Sequence, residues 1–154
     1  YEYDDTIKKL LYQFKGCYDI ELSKVFYEPF IHELKVHYHG YHLLPIPSNK
    51  EDDAKREFNH VIEMYKPFDM PILDVLFKNK KYKQSDQKAV HRNEIEKVLE
   101  LSDLNCVRNK KILIVDDVFT TGSTLKGAVN LVRKGNPRKI KILTLAKTVI
   151  HNEY

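Results

Sequence analysis

Only two cysteines occur in the 154 residues, Cys17 and Cys106, and they stand far apart. Neither belongs to a C-x-x-C pair and the seven histidines are scattered, so the spacing of a four-ligand structural zinc site is missing. The two thiols read as reduced cysteines of a cytosolic protein, which predicts a cytoplasmic location. No apolar run nears the ~18 residues of a membrane span. Strings such as Ile112, Leu113, Ile114 and Val115 suit strands instead, and no membrane partner is expected. The opening residues Tyr1, Glu2, Tyr3, Asp4 and Asp5 are acidic and aromatic, unlike the basic start of a secretory leader. The chain begins on Tyr rather than Met and reads as a piece of something longer. Internal repeats and low-complexity linkers are also missing.

What is present is a globular composition. Apolar residues make up 42% and charged residues 31%, enough for a buried core in a soluble chain. That excludes a disordered tail, a collagen-like fibre and a coiled coil. The length fits one domain. A net charge of +4 permits a phosphate-bearing ligand or nucleic acid and requires neither.

Hydrophobic spacing outlines the elements. Ile7, Leu10, Leu11 and Phe14 mark one face of a first helix, stopped by Gly16. Residues 20–34 predict a second helix with Leu22, Val25, Phe26 and Phe30 inward. Pro45 and Pro47 make residues 41–47 extended, followed by a loop at 47–50. A helix is expected over 51–65, a short strand over 71–77 and a helix over 85–101 with Ser85 as N-cap. Residues 111–115 predict a strand, 122–134 a helix closed by Gly135, and 140–145 a further strand. Strand, helix, strand is a βαβ unit, so the fold class is α/β with a parallel sheet flanked by helices. Residues 1–40 read as a helical N-terminal part that joins 41–154 in one compact unit.

One segment carries the chemistry. A buried strand runs into Asp116 and Asp117, a short turn of Thr120, Thr121, Gly122, Ser123 and Thr124 follows, and a helix begins. This places the turn at the carboxyl end of a parallel strand, where open α/β sheets bind ligands. Its N–H groups sit at a helix N-terminus, where the dipole favours an anion. Gly122 lets backbone approach a phosphate, and the four hydroxyls add donors. The turn therefore suits a monophosphate. The two aspartates just upstream can accept hydrogen bonds from a ribose diol. The spacing is neither G-x-x-x-x-G-K-[ST] nor G-x-G-x-x-G. A purely structural use is the alternative: the aspartates cap the loop and the threonines only start the helix.

The run from Val115 to Thr124 resembles the PRPP-binding motif of type I phosphoribosyltransferases. The resemblance implies that fold, with a small hood subdomain, and makes residues 41–154 the phosphoribosyltransferase-like part. It implies that Asp116 and Asp117 bind the ribose 2- and 3-hydroxyls and serve catalysis, and that Thr120, Thr121, Gly122, Ser123 and Thr124 bind the 5-phosphate. Magnesium would arrive as the Mg²⁺ complex of PRPP, with no metal held directly by the protein. The reaction displaces pyrophosphate through an oxocarbenium-like ribosyl cation. A carboxylate pair near that charge can stabilise it.

A wider resemblance to the ComF family runs through Pro45-Ile46-Pro47, Arg56-Glu57-Phe58-Asn59-His60, Lys80 to Gln87 and the terminal motif. The family's R-G-F-N-Q block is altered in the second of these, and its R-x-x-x-T-x-x-Q block stands as Lys80, Gln84 and Gln87. The N-terminal zinc-binding cysteine cluster of many members does not occur in the sequence. By position, Lys50 and Arg56 become candidates for pyrophosphate, and Lys83 falls in the stretch of a hood. Thr120 stands where enzymes acting on 6-oxopurines carry an Asp, which argues against hypoxanthine or guanine as acceptor. The N-terminal cysteine of a glutamine amidotransferase is missing as well. The family is tied to uptake of transforming DNA. The resemblance thus implies single-stranded DNA and a DNA-import helicase as partners, and a homodimer.

Two basic runs bear on nucleic acid: Lys78 to Lys83 around Tyr82, and Arg133, Lys134, Arg138, Lys139 and Lys141. Cations interleaved with aromatics suit single strands, although such runs are common on solvated faces. The N-terminal aromatics Tyr3, Tyr12, Phe14, Tyr18, Phe26, Tyr27 and Phe30 read as core or as a dimer face rather than as a stacking platform. Three functions remain in view: a ComF-type competence protein, a phosphoribosyltransferase of nucleotide metabolism, and a ligand sensor without turnover.

Overall fold

The apolar run Ile112–Val115 is buried on both sides, as the middle strand of a parallel sheet demands. A computed structural model describes residues 1–48, 53–54, 57–78 and 99–148. Strand β1 (Tyr41–Pro45), β4 (Lys111–Phe119) and β5 (Lys139–Lys147) lie in the order β1-β4-β5, every pair parallel. A separate antiparallel pair joins β2 (Leu76–Lys78) to β3 (Leu99–Leu101).

Alternation along the strands divides the core in two. Leu43, Leu113 and Val115 face one cluster, with Ile7, Leu11 and Phe14 of helix α1 (Asp5–Gly16) and Val61, Met64 and Tyr65 of α3 (His60–Tyr65). Leu44, Ile112 and Ile114 face the other, with Leu125, Ala128 and Val132 of α4 (Ser123–Lys134). Helices thus cover both faces of the sheet. Asp4 caps α1 by accepting from Ile7 N at 2.8 Å, and Asn59 caps α3 by accepting from Val61 N and Ile62 N. The first residues extend the far edge of the sheet, where Tyr3 N donates to the Lys147 carbonyl at 2.9 Å. Among the described residues no helix is long and apolar enough to cross a membrane.

The βαβ unit matches its sequence pattern, but four other expectations change. The helix expected over 20–34 is two 3₁₀ turns, Ile20–Lys24 and Glu28–Phe30, followed by α2 (Ile31–His37). Pro29 cannot sit inside a helix but fits a first turn, so the chain restarts there. Val25 and Phe30 consequently point outward, 50% and 46% exposed. The helix expected over 51–65 is helical at 53–54 and 60–65, with Asn59 extended and capping between them. The helix expected over 85–101 lies mostly outside the described residues, and its last part is strand β3. Strand 71–77 shortens to β2 and a bridge from Ile72 to Leu43.

Gly135 closes α4 with φ −84, so space rather than handedness explains it. A Cβ there would stand 2.3 Å from Val107 Cγ2 and 2.6 Å from the Leu104 carbonyl oxygen.

Candidate functional site

Strand β4 runs on past its apolar stretch, so Asp116 and Asp117 lie within its last residues rather than in a loop. Their backbone is anchored from behind. Tyr65, 1% exposed, has its hydroxyl 2.8 Å from the Asp116 carbonyl oxygen and 3.1 Å from that of Leu143. The Tyr27 hydroxyl donates to Tyr65 at 2.7 Å, which leaves the Tyr65 proton for those carbonyls. Burial pushes both phenols above the ordinary tyrosine range, so they stay neutral donors. The network ties β4 to β5 at the point where the carboxylates begin.

The two carboxylates are treated differently. Asp116 Oδ1 accepts from Asp117 N at 2.9 Å. Asp117 Oδ1 accepts from Val118 N at 2.6 Å, and Asp117 Oδ2 lies 2.6 Å from Lys15 Nζ and 3.3 Å from His60 Nε2. Burial, and next the charge of Asp117, push the Asp116 carboxyl up to about 7. Burial also works to raise Asp117, but the His60 hydrogen bond and the charge and hydrogen bond of Lys15 outweigh it. They hold Asp117 below the usual carboxylate range. Near neutral pH the pair is therefore one firm anion beside one carboxyl that titrates. Such a pair can take both hydroxyls of a vicinal diol, the neutral member donating as well as accepting.

After Phe119 the chain turns at Gly122, whose φ of +71 belongs to the left-handed region. A Cβ on Gly122 would stand 2.7 Å from Phe119 Cζ, so handedness and space both call for glycine here. Gly122 is the N-cap of α4 and its carbonyl accepts from Lys126 N at 2.8 Å. As a glycine, the N-cap residue itself offers no side chain to the first turn. The hydroxyls of Thr121 and Ser123 lie 3.0 Å apart, and Thr120, Thr121 and Thr124 are exposed. Ser123 N donates to Thr121 Oγ1 at 3.4 Å, so one threonine does serve the helix start, as the purely structural alternative has it. The first-turn N–H groups of the helix and the hydroxyls of the turn stand at the end of β4, as an anion site requires.

A cleft of about 760 Å³ opens over the acidic pair. Asp116, Asp117 and Thr124 line it, together with Pro47 and Ser48 beyond β1. The Ser48 hydroxyl donates to Asp53. Thus the structure gathers the end of β1, the end of β4 and the start of α4 at one place. Lys50, Arg56 and Lys83 lie outside the described residues, as do Tyr82 and the altered block at 80–87. Lys78, the first residue of the basic run, does reach the cleft.

Two neighbours of Asp117 are not marked by the sequence pattern as its partners. Lys15 comes from α1, 102 positions before its partner, and His60 from α3, 57 positions before it. For His60 a signal existed, since it ends the block Arg56-Glu57-Phe58-Asn59-His60. For Lys15 there was none, because only the packing of α1 on the sheet brings it near. Among the described residues no group of three or more His, Cys, Asp or Glu is placed to hold a metal ion.

The chain is 30% identical over 151 residues to competence protein ComFC of Bacillus subtilis, covering 96% of this chain and 62% of that protein. It is 27% identical over 147 residues to ComFC of Streptococcus pneumoniae, covering 96% of this chain and 66% of that one. The chain thus spans just under two thirds of the length of these relatives. In fold it is similar to a solved allosteric regulatory enzyme of purine biosynthesis, with TM-score 0.53, 15% identity, and coverage of 82% of this chain and 25% of that one. The sequence model of the phosphoribosyl transferase domain family matches residues 62–151, which include the end of β4, the turn and α4. With that match and the ComFC similarity along nearly its whole length, the chain belongs to the phosphoribosyl transferase domain family.

Proposed function

We propose that this chain is the PRPP-binding part of a ComF-type competence protein that assists the handling of single-stranded DNA during natural transformation. The observation that carries the reading is the acidic pair held at the end of the central strand, directly before the Thr-Thr-Gly-Ser-Thr turn. The ribose 2- and 3-hydroxyls meet Asp116 and Asp117, and the 5-phosphate meets the N–H groups and hydroxyls of Thr120, Thr121, Gly122, Ser123 and Thr124. The ligand enters as Mg²⁺-PRPP, its pyrophosphate directed toward Ser48 and the segment that holds Lys50. Asp117, fixed by Lys15 and His60, keeps its negative charge where a ribosyl cation would develop, an arrangement that needs no reorganisation at the moment of reaction. The work takes place in the cytosol beside a DNA-import helicase.

Titration calorimetry tests this. Mg²⁺-PRPP should bind the wild type, and Asp116→Asn/Asp117→Asn should lose that binding while keeping its fold by circular dichroism. Gel-shift assays with single-stranded oligonucleotides and transformation frequency in a deletion strain test the second half. A wild type that binds neither PRPP nor single strands would overturn the proposal.

A second reading is an active phosphoribosyltransferase with an acceptor other than a 6-oxopurine. The split acidic pair favours it, because an ionised carboxylate beside the anomeric carbon is a catalytic asset. Pyrophosphate release with one nucleobase would select this reading. Binding without release would select a sensor.

A further inference from the structure

Helix α1 delivers one cation to the acidic pair. Lys15 stands in its last turn, where the negative end of the helix dipole favours a positive side chain. Its Nζ lies 2.6 Å from Asp117 Oδ2, while the side chain keeps 35% of its surface open and lines the cleft. Lys8 and Lys78 line the same cleft. Lys8 is paired with Asp5 at 3.2 Å, and among the described residues neither lysine meets a carboxylate of β4.

The helix does not need this contact to stay on the sheet. Ile7, Leu11 and Phe14 are buried beneath it, and Asp4 caps its start. What the contact changes is the charge of the site. A ribose phosphate brings negative charge to a pair of carboxylates, and the repulsion calls for a cation between them. Mg²⁺ would sit at about 2.0–2.1 Å from the carboxylate oxygens. Here three of the four oxygens already accept hydrogen bonds: Asp116 Oδ1 from Asp117 N, Asp117 Oδ1 from Val118 N, and Asp117 Oδ2 from Lys15. His60 Nε2 stands 3.3 Å from that last oxygen as well. A divalent ion at Oδ2 would meet an ammonium already bonded to the same atom. Lys15 has three N–H donors and, among the described residues, one partner, so the others can turn to ligand oxygens. A carboxylate oxygen accepts from two donors, so Asp117 can take a ribose hydroxyl on Oδ1 with Lys15 in place.

We infer that Lys15 is the built-in counter-ion of the acidic pair: its ammonium holds the place a divalent ion would otherwise take, and a ribose phosphate binds there without Mg²⁺. The inference rests on the proposed ribose-phosphate site and adds its ion requirement. It concerns the ribose end of the ligand; the Mg²⁺ of a PRPP complex belongs to the pyrophosphate.

The test titrates ribose 5-phosphate, which has no pyrophosphate to carry a metal, into the whole chain by calorimetry, once in EDTA and once in Mg²⁺. The wild type should bind equally in both. Lys15→Gln should lose roughly tenfold in EDTA, the worth of one charge-assisted hydrogen bond, and regain much of it in Mg²⁺. Lys15→Arg should bind without metal, like the wild type. The ion alone gives a second readout. Mn²⁺ should broaden the amide signals of Asp116, Asp117 and Val118 in ¹⁵N-labelled Lys15→Gln and leave them sharp in the wild type. Should Lys15→Gln fail to fold, the wild type in EDTA and its response to Mn²⁺ still decide. Wild-type binding that disappears in EDTA would overturn the inference and leave the ribose-phosphate reading intact. So would Mn²⁺ broadening in the wild type, undiminished binding by Lys15→Gln in EDTA, or a Lys15→Gln loss that Mg²⁺ does not lessen. No binding by the wild type in either buffer would overturn both readings.

Discussion

The two ends of the parallel sheet use the same kinds of side chain in opposite ways. At the amino end, Tyr41, Lys111 and Lys139 stand in register across β1, β4 and β5. There Lys141 Nζ sits 5.2 Å from the Tyr38 ring centre and 5.7 Å from that of Tyr41, with Lys111 Nζ 5.6 Å from Tyr41. Those rings are 8% and 4% exposed, so the lysines cover them and their faces are spent. At the carboxyl end Tyr12 of α1 and Tyr18 just beyond it are open, and Lys15 is fastened to a carboxylate. Cations over closed rings make a surface that can attract a phosphate backbone but cannot stack a base. Carboxylates held beside an open cleft make a pocket. Of the basic run Arg133, Lys134, Arg138, Lys139 and Lys141, the last is thus spent on covering Tyr38 and Tyr41.

This contrast can be broken at the strongest contact first. Tyr65→Phe removes the hydroxyl that anchors the carboxyl end and leaves Tyr27 and two backbone carbonyls short of a partner. Unmet buried polar groups cost about 1–3 kcal/mol, so urea unfolding should show a loss of that size, with weaker ligand binding. A Tyr65→Phe protein as stable as the wild type would contradict the network.

The next effect is a pH dependence. Asp116 has a folded-state pKa raised to about 7 from an ordinary 3.8. Its contribution to stability is therefore present below about 4 and is lost as pH rises toward about 7, because the unfolded chain gives up that proton more readily. Asp117 runs the other way: its depressed pKa favours the fold above the ordinary range and loses that benefit in acid. Asp116→Asn cannot ionise. Relative to the wild type it should gain on the order of 2–3 kcal/mol of unfolding free energy between pH 5 and pH 8 in urea melts. An unchanged difference at the two pH values would show that Asp116 ionises like an exposed carboxylate.

The smallest effect belongs to the amino end. Lys141→Ala removes contacts to two rings and a hydrogen bond with His37 at 2.8 Å. A cation over a ring is worth about 0.5–1 kcal/mol at an exposed site, so the loss should fall in that range. PRPP affinity should not move. A large drop in that affinity would erase the distinction between the ends.

The carboxyl end was the more legible half. An apolar run, two acids, a Gly-centred turn and an amphipathic helix are local features, each set by neighbours a few residues apart. The βαβ unit and the position of the Thr-Gly turn follow from them directly. Lys15 and His60 were not legible as partners of Asp117, because pairing across 102 and 57 positions depends on how α1 and α3 seat on the sheet. The same limit hid the difference between Phe14 and Tyr12, which helical periodicity assigns to opposite faces without saying that the outer one looks into a cleft. Pro29 was visible in the sequence, and its power to split residues 20–34 outweighed the apolar spacing around it.

The central claim is that ligand binds at the carboxyl end and not at the amino end. Amide chemical shifts of the ¹⁵N-labelled chain, followed as Mg²⁺-PRPP is added, test it most directly. The account predicts shifts at Asp116, Asp117 and residues 120–124, with Tyr41, Lys111 and Lys139 unmoved. Shifts centred on those three amino-end residues, with the Thr-Gly turn silent, would contradict it.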